Sequence, residues 1–155
     1  MTAQAQAASV LIDINIESFV DLSAKADPFR LKQILLNLLS NAIRYNRKHG
    51  SIHLSAATLD DGCVRVDVRD GGIGIAKDDH DSAFEAFNRL DQESGPISGA
   101  GLGLTISQQL AKLMGGRITV ESEVGRGSVF SISLKPGEEA HPTGDFIRLQ
   151  VGDQA

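Results

Sequence analysis

The clearest periodic signal runs through residues 27–46, DPFRLKQILLNLLSNAIRYN. Leu31, Ile34, Leu35, Leu38, Leu39 and Ala42 recur at spacings of three and four, so they share one face of a helix. Asp27 suits the N-cap, and Pro28 suits the first helical position, where a missing N–H costs nothing. The pattern predicts that the helix runs on toward Lys48-His49-Gly50, with basic residues in its last turn and glycine as a stop. Elsewhere the period is two. Residues 9–16 (SVLIDINI), 51–58 (SIHLSAAT) and 63–68 (CVRVDV) alternate apolar and polar positions and read as strands. The Asp60-Asp61-Gly62 turn joins the last two into a hairpin, and Cys63 reads as a small buried hydrophobe. A further small strand fits around Phe19 and Val20. Residues 76–90 are helical or irregular and carry Phe84, Phe87 and Arg89. Residues 91–99 (DQESGPISG) have turn composition and read as a mobile loop. Residues 99–104 (GAGLGL) open a second long helix that reaches about Met114 and stops at Gly115-Gly116. Residues 117–121 and 128–134 are strands around the turn Val124-Gly125-Arg126-Gly127.

Composition changes this picture mainly by exclusion. The chain has 155 residues, 41% hydrophobic and 23% charged, which suits one globular domain. The net charge of −5 has no basic patch and leaves no footprint for nucleic acid. No apolar run is long enough to span a bilayer, and residues 1–9 lack the pattern of a signal peptide. A single cysteine excludes an internal disulfide and a cysteine-based metal site, and a reducing cytoplasm is expected.

Two features call for chemistry. Asn37, Asn41, Arg44 and Tyr45 form a stripe beside the apolar face of the first helix. Asparagine is a mediocre helix former, so two of them four residues apart are either solvated on an exposed edge or serve a ligand, such as a hard cation bound by an amide oxygen. Glycines also cluster, in DGGIG at 70–74 after a strand and in GAGLGL before a helix. Glycine lets the backbone approach a ligand closely, and a helix N-terminus favours an anion. The P-loop and the G-x-G-x-x-G fingerprints are absent, as are Ser-His-Asp and Cys-His patterns.

The ordered set NLLSNAIRYN, DGGIG, FEAFNRL, GAGLGL and MGGRITVESEVGRGSVF resembles the catalytic ATP-binding domain of bacterial sensor histidine kinases. That family belongs to an ATPase superfamily shared with DNA gyrase, a class of heat-shock chaperones and mismatch-repair ATPases. The resemblance implies an α/β two-layer sandwich, the Bergerat ATP-binding fold: a mixed, mostly antiparallel sheet of about five strands with about three helices on one face. It implies ATP and Mg²⁺ as cofactors. Asn41 matches the Mg²⁺ ligand, and Asn37 and Tyr45 line the nucleotide. Arg44 stands where the family usually has Lys, and it and Arg89 match the cations that act on the phosphates. Asp70 matches the acceptor of the adenine amino group, with Gly72, Gly74 and Ile75 close to the base. Gly101, Leu102, Gly103 and Leu104 match the lid end of the phosphate site, and Ser128 supports the adenine contact.

Two departures refine the expectation. Position 37 is Asn, where ATP-hydrolysing relatives carry an acidic general base, so phosphoryl transfer is favoured over hydrolysis. The family's phosphoacceptor histidine lies on a separate dimerisation helix, and His80-Asp81 is the sole local match, lying in the lid region. The implied function is donation of the ATP γ-phosphoryl group to a histidine on the dimerisation/histidine-phosphotransfer domain of a parent kinase, with a response regulator downstream. The chain is then expected to be an excised, monomeric piece, with residues 1–136 as the ATP-binding domain and 137–155 as a polar tail. The competing readings are a non-catalytic ATP-sensing pseudokinase module and a gyrase-like ATPase.

Overall fold

The computed structural model describes residues 6, 9–15, 22–84, 103–137 and 146–149. Its regular elements are β1 (Leu11–Ile14), β2 (Leu22–Lys25), α1 (Pro28–Arg44), β3 (Ser51–Thr58), β4 (Val64–Asp70), α2 (Gly103–Leu113), β5 (Arg117–Glu123), β6 (Gly127–Pro136) and β7 (Phe146–Leu149). Two single-turn 3₁₀ helices, Lys77–Asp79 and Ser82–Phe84, follow β4.

The strands form one mixed sheet in the order β1-β3-β4-β6-β2-β7, with β5 also paired to β6. β1 runs parallel to β3, and every other pairing is antiparallel. Among the described residues there are seven strands where about five were expected. Phe19 and Val20, where a small strand was anticipated, lie outside the described residues; a strand stands at 22–25, and residues 146–149 add an edge strand beside it.

Alternation along the central strands sets the two layers. Val64, Val66 and Val68 of β4, Phe130, Ile132 and Leu134 of β6, and Ile118 of β5 are all buried and face the helices. Leu31, Ile34, Leu38, Ala42 and Ile43 of α1 meet them, as do Ala111 of α2 and Met114 just beyond it. The apolar stripe that predicts α1 is therefore its core face. The opposite face of the sheet is polar: Ser131 Oγ donates to Asp67 at 2.6 Å, and Arg65 pairs with the same carboxylate.

Asp27 caps α1 as predicted, its carboxylate accepting from the N–H groups of Phe29 and Arg30. The helix stops earlier than predicted, at Arg44, with Tyr45 as C-cap. Asn46 explains the early stop. Its Nδ2 donates to Ser51 O at 3.0 Å and its Oδ1 accepts from Arg47 N at 2.9 Å, so a local side-chain bond competes with the next helical turn. Cys63 is half-exposed one residue before β4, rather than buried, because Asp61 Oδ1 accepts its N–H and holds it in the turn.

Candidate functional site

β4 ends its buried row of valines on a carboxylate. Asp70 points to the same face as Val64, Val66 and Val68 and is 7% exposed. Across the sheet it lies opposite Ile52 on β3 and Ser128 on β6, and Ser128 in turn lies opposite Ser122 on β5. One transverse row thus carries a carboxylate and two hydroxyls at the end of an apolar floor. Asp70 Oδ1 accepts from Gly72 N at 2.9 Å. Burial pushes the Asp70 carboxyl above the usual carboxylate range, opposed by backbone N–H donation from Gly72 and Ser128.

The loop that follows must pass close to the end of α1. Ile73 N donates to Tyr45 O at 3.2 Å. A Cβ on Gly72 would stand 2.2 Å from Tyr45 O, and one on Gly74 would stand 2.0 Å from Glu123 O. Gly74 also has φ +73°, so glycine is required there on two grounds. Ile75 N then donates to Ser122 Oγ at 2.7 Å. The Ser122 hydroxyl also lies 2.9 Å from Gly127 O and 2.6 Å from Ser128 Oγ. It has one proton and two lone pairs, so it donates to Gly127 O and accepts from Ile75 N and Ser128. Ser122 was missed by the sequence reading. Its period-two place after Ile118 and Val120 is the signal that could have found it.

The second wall is the edge of α1. Asn37 and Asn41 are half-buried, Arg44 is exposed, and Tyr45 is half-buried at the C-cap. Asn37 faces the start of α2, where its Nδ2 donates to Ser107 Oγ at 3.1 Å and to Gly103 O at 3.4 Å. This bond joins the asparagine stripe to the glycine-led helix, so Gly103 and Leu104 sit beside α1. Phe84 packs edge-on against Phe130 at 6.3 Å, and its carbonyl accepts from Thr105 Oγ1 at 2.8 Å. Its ring is therefore core packing. Arg89, Phe87, Gly101, Leu102 and the 91–99 loop lie outside the described residues.

The structure thus gathers Tyr45, Asp70, Gly72, Gly74, Ile75 and Ser128 around one end of the helix–sheet interface. Asn41 stands one turn before Tyr45 on α1, and Asn37 a further turn back, where it meets Gly103. Among the described residues no group of three or more His, Cys, Asp or Glu could hold a metal. A groove of about 450 Å³ lies beside the sheet, its lining running from His53, Arg69, Glu121 and Arg126 to Asp70, Ser122 and Ser128. His53, Arg69 and Glu121 occupy the alternate positions to the core-facing residues of their strands, so they belong to the polar face.

Residues 26–138 match the model of the histidine kinase-, DNA gyrase B- and HSP90-like ATPases, and the chain belongs to that family. It is 34% identical to the circadian input-output histidine kinase CikA of Synechococcus elongatus over 94% of this chain and 21% of that protein. It is 45% identical to the sensor protein GacS of Pseudomonas syringae over 84% of this chain and 15% of that one. Full-length ShkA, solved in complex with AMPPNP, superposes with a TM-score of 0.77 at 35% identity, covering 92% of this chain and 29% of that one. The chain therefore spans about a fifth or less of these curated relatives. The α/β sandwich and the histidine-kinase type of ATP-binding domain expected from the sequence are both borne out.

Proposed function

We propose that the chain binds ATP with Mg²⁺ and presents the γ-phosphoryl group to a histidine on the dimerisation/histidine-phosphotransfer domain of a larger cytoplasmic kinase, which then serves a response regulator. The observation that carries this reading is the buried Asp70 carboxylate. It closes an apolar floor beside a loop in which Gly72 and Gly74 leave no room for a Cβ. A flat apolar base with one exocyclic amino group suits that place, because the amino group donates to the carboxylate and the ring covers apolar surface. Residues 1–136 would be the nucleotide-binding unit and 137–155 its appendage.

The residues present fit the nucleotide and its metal. Asp70, Gly72, Gly74, Ile75 and Ser128 face the base, with Tyr45 over it. Asn41 offers one hard oxygen, which suffices for an ion that takes its other ligands from phosphates and water. Held by Asn41, Mg²⁺ would supply positive charge that offsets the charge of the phosphates. Arg44 and Arg89 would supply further positive charge, and Gly103 and Leu104 open α2, where a helix N-terminus favours the phosphates; Gly101 and Leu102 share that task by resemblance. This arrangement works by positioning and charge neutralisation and offers no nucleophile of its own.

The histidine-kinase relatives and the AMPPNP-bound ShkA structure support this reading. Calorimetric titration tests it. The chain should bind Mg-ATP and Mg-ADP, and GTP much more weakly, because guanine turns a carbonyl toward Asp70. No binding at millimolar ATP, or equal affinity for GTP, would sink it.

A further inference from the structure

We propose that Arg47, outside every glycine and asparagine motif, is a positioning residue for the base end of the nucleotide pocket, acting through the β5–β6 turn. The proposal rests on the nucleotide-binding reading above. Three segments surround that end: the close of α1, the 70–74 loop and the turn between β5 and β6. A chain of hydrogen bonds links them. Ile73 N donates to Tyr45 O at 3.2 Å, and Gly125 N donates to Ile73 O at 2.8 Å. Arg47 Nη2 donates to Gly125 O, and Arg47 follows Tyr45 by two residues, so the chain closes into a ring.

The geometry of Arg47 is fixed from both sides. Its N–H is accepted by Asn46 Oδ1 at 2.9 Å, and its carbonyl accepts from Gly50 N at 2.9 Å. A backbone so anchored aims the guanidinium across the turn. Without that bond, the turn would be tied to the loop by Gly125 N–H to Ile73 O, with Ile75 N to Ser122 Oγ holding only the strand before it. On the nucleotide reading the base would rest against the loop and Tyr45, so a loose ring would cost affinity without any contact between Arg47 and the ligand. Arg126 is a built-in control on the same turn: it is 79% exposed and pairs locally with Glu123 at 3.7 Å.

The experiment combines Mg-ADP titration with hydrogen exchange of the ligand-free protein, for the native chain, Arg47→Ala, Arg47→Lys and Arg126→Ala. The net worth of an ordinary hydrogen bond gives the scale: Arg47→Ala should weaken Mg-ADP binding roughly three- to tenfold. Arg47→Lys keeps a donor and should recover part of the loss, and Arg126→Ala should match the native chain. The amides of Ile73 and Gly125 should exchange faster in ligand-free Arg47→Ala, with little change in Tm. Unchanged affinity would overturn the proposal. So would weaker binding with unchanged ligand-free exchange, since that pattern means direct contact with the nucleotide. Failure of the native chain to bind Mg-ADP would overturn the nucleotide reading and this proposal with it, while the exchange data would still report whether the ring exists.

Discussion

Asp70 stands where an apolar side chain would cost less. Its row is otherwise valine, and burial raises its pKa against two backbone donors. A carboxyl whose folded pKa lies above its unfolded value favours the folded state only while protonated. That contribution is complete below the unfolded pKa and is lost as pH rises through the folded one. Near neutrality the ionised group therefore opposes folding. Asp70→Asn removes the charge and keeps an oxygen for Gly72 N–H. It should be more stable than the native chain near neutrality, by about 1 kcal/mol, the scale of single stabilising changes. The difference should close in mild acid, which urea unfolding at both pH values would show. The same variant should bind Mg-ADP about tenfold or more weakly, since a bond to a charged group is worth roughly 1.5–3 kcal/mol. Asn41→Ala makes the complementary test. It should abolish Mg²⁺-dependent phosphoryl transfer to a supplied acceptor while changing stability by less than about 1 kcal/mol, as a half-exposed truncation does. Normal transfer would remove Asn41 from the metal. Asp70 and Asn41 could be singled out in the sequence because Asp70 opens the DGGIG glycine cluster and Asn41 is an amide inside a helix. Ser122 and Arg47 carry no such signal. A serine near a strand end and an arginine after a helix are ordinary, and their partners lie 47 and 78 residues away.

At the scale of elements, the site exists because three chain segments converge with no room between them. Gly72→Ala tests that directly, since the new Cβ would stand 2.2 Å from a backbone carbonyl that cannot swing aside. The loop must move, and the Ile73 N to Tyr45 O bond goes with it. Overpacking of this kind costs roughly 1–3 kcal/mol. The variant should lose that stability in denaturant unfolding together with most of its nucleotide affinity, whereas a variant that keeps both would show that the close approach is dispensable. The period-two and period-3.6 patterns placed β3, β4, β6 and α1 well because each has one buried face and a core partner. They overran the end of α1, where the deciding event is a side-chain bond from Asn46 to Ser51 O. They gave residues 146–149 no strand, because a four-residue edge strand is held by pairing with β2 rather than by a strong pattern of its own.

At the scale of the whole molecule, the open question is where the γ-phosphoryl group goes. Hydrolysis needs a positioned base to take a proton from water, and such a base is typically worth ~10²–10⁴ in rate. Position 37 cannot supply one. Its side chain is an amide, and its Nδ2 is already committed to Gly103 O and Ser107 Oγ at the start of α2. A carboxylate there would face that carbonyl instead, so Asn37→Asp should strain the α1–α2 contact rather than create an ATPase. A neutral imidazole carries its own lone pair and needs no such base. Within this chain His80 is a poor acceptor, because its Nε2 lies 3.2 Å from Ile75 O in a part-buried contact. With radiolabelled ATP, the chain alone should therefore release phosphate very slowly and remain unlabelled. Adding a separate dimerisation module that bears the acceptor histidine should produce acid-labile label on the module only. Label on His80 would place the acceptor inside this chain. Brisk hydrolysis without the module would favour the gyrase-like reading, and ATP binding with no transfer to any module tried would favour the pseudokinase one.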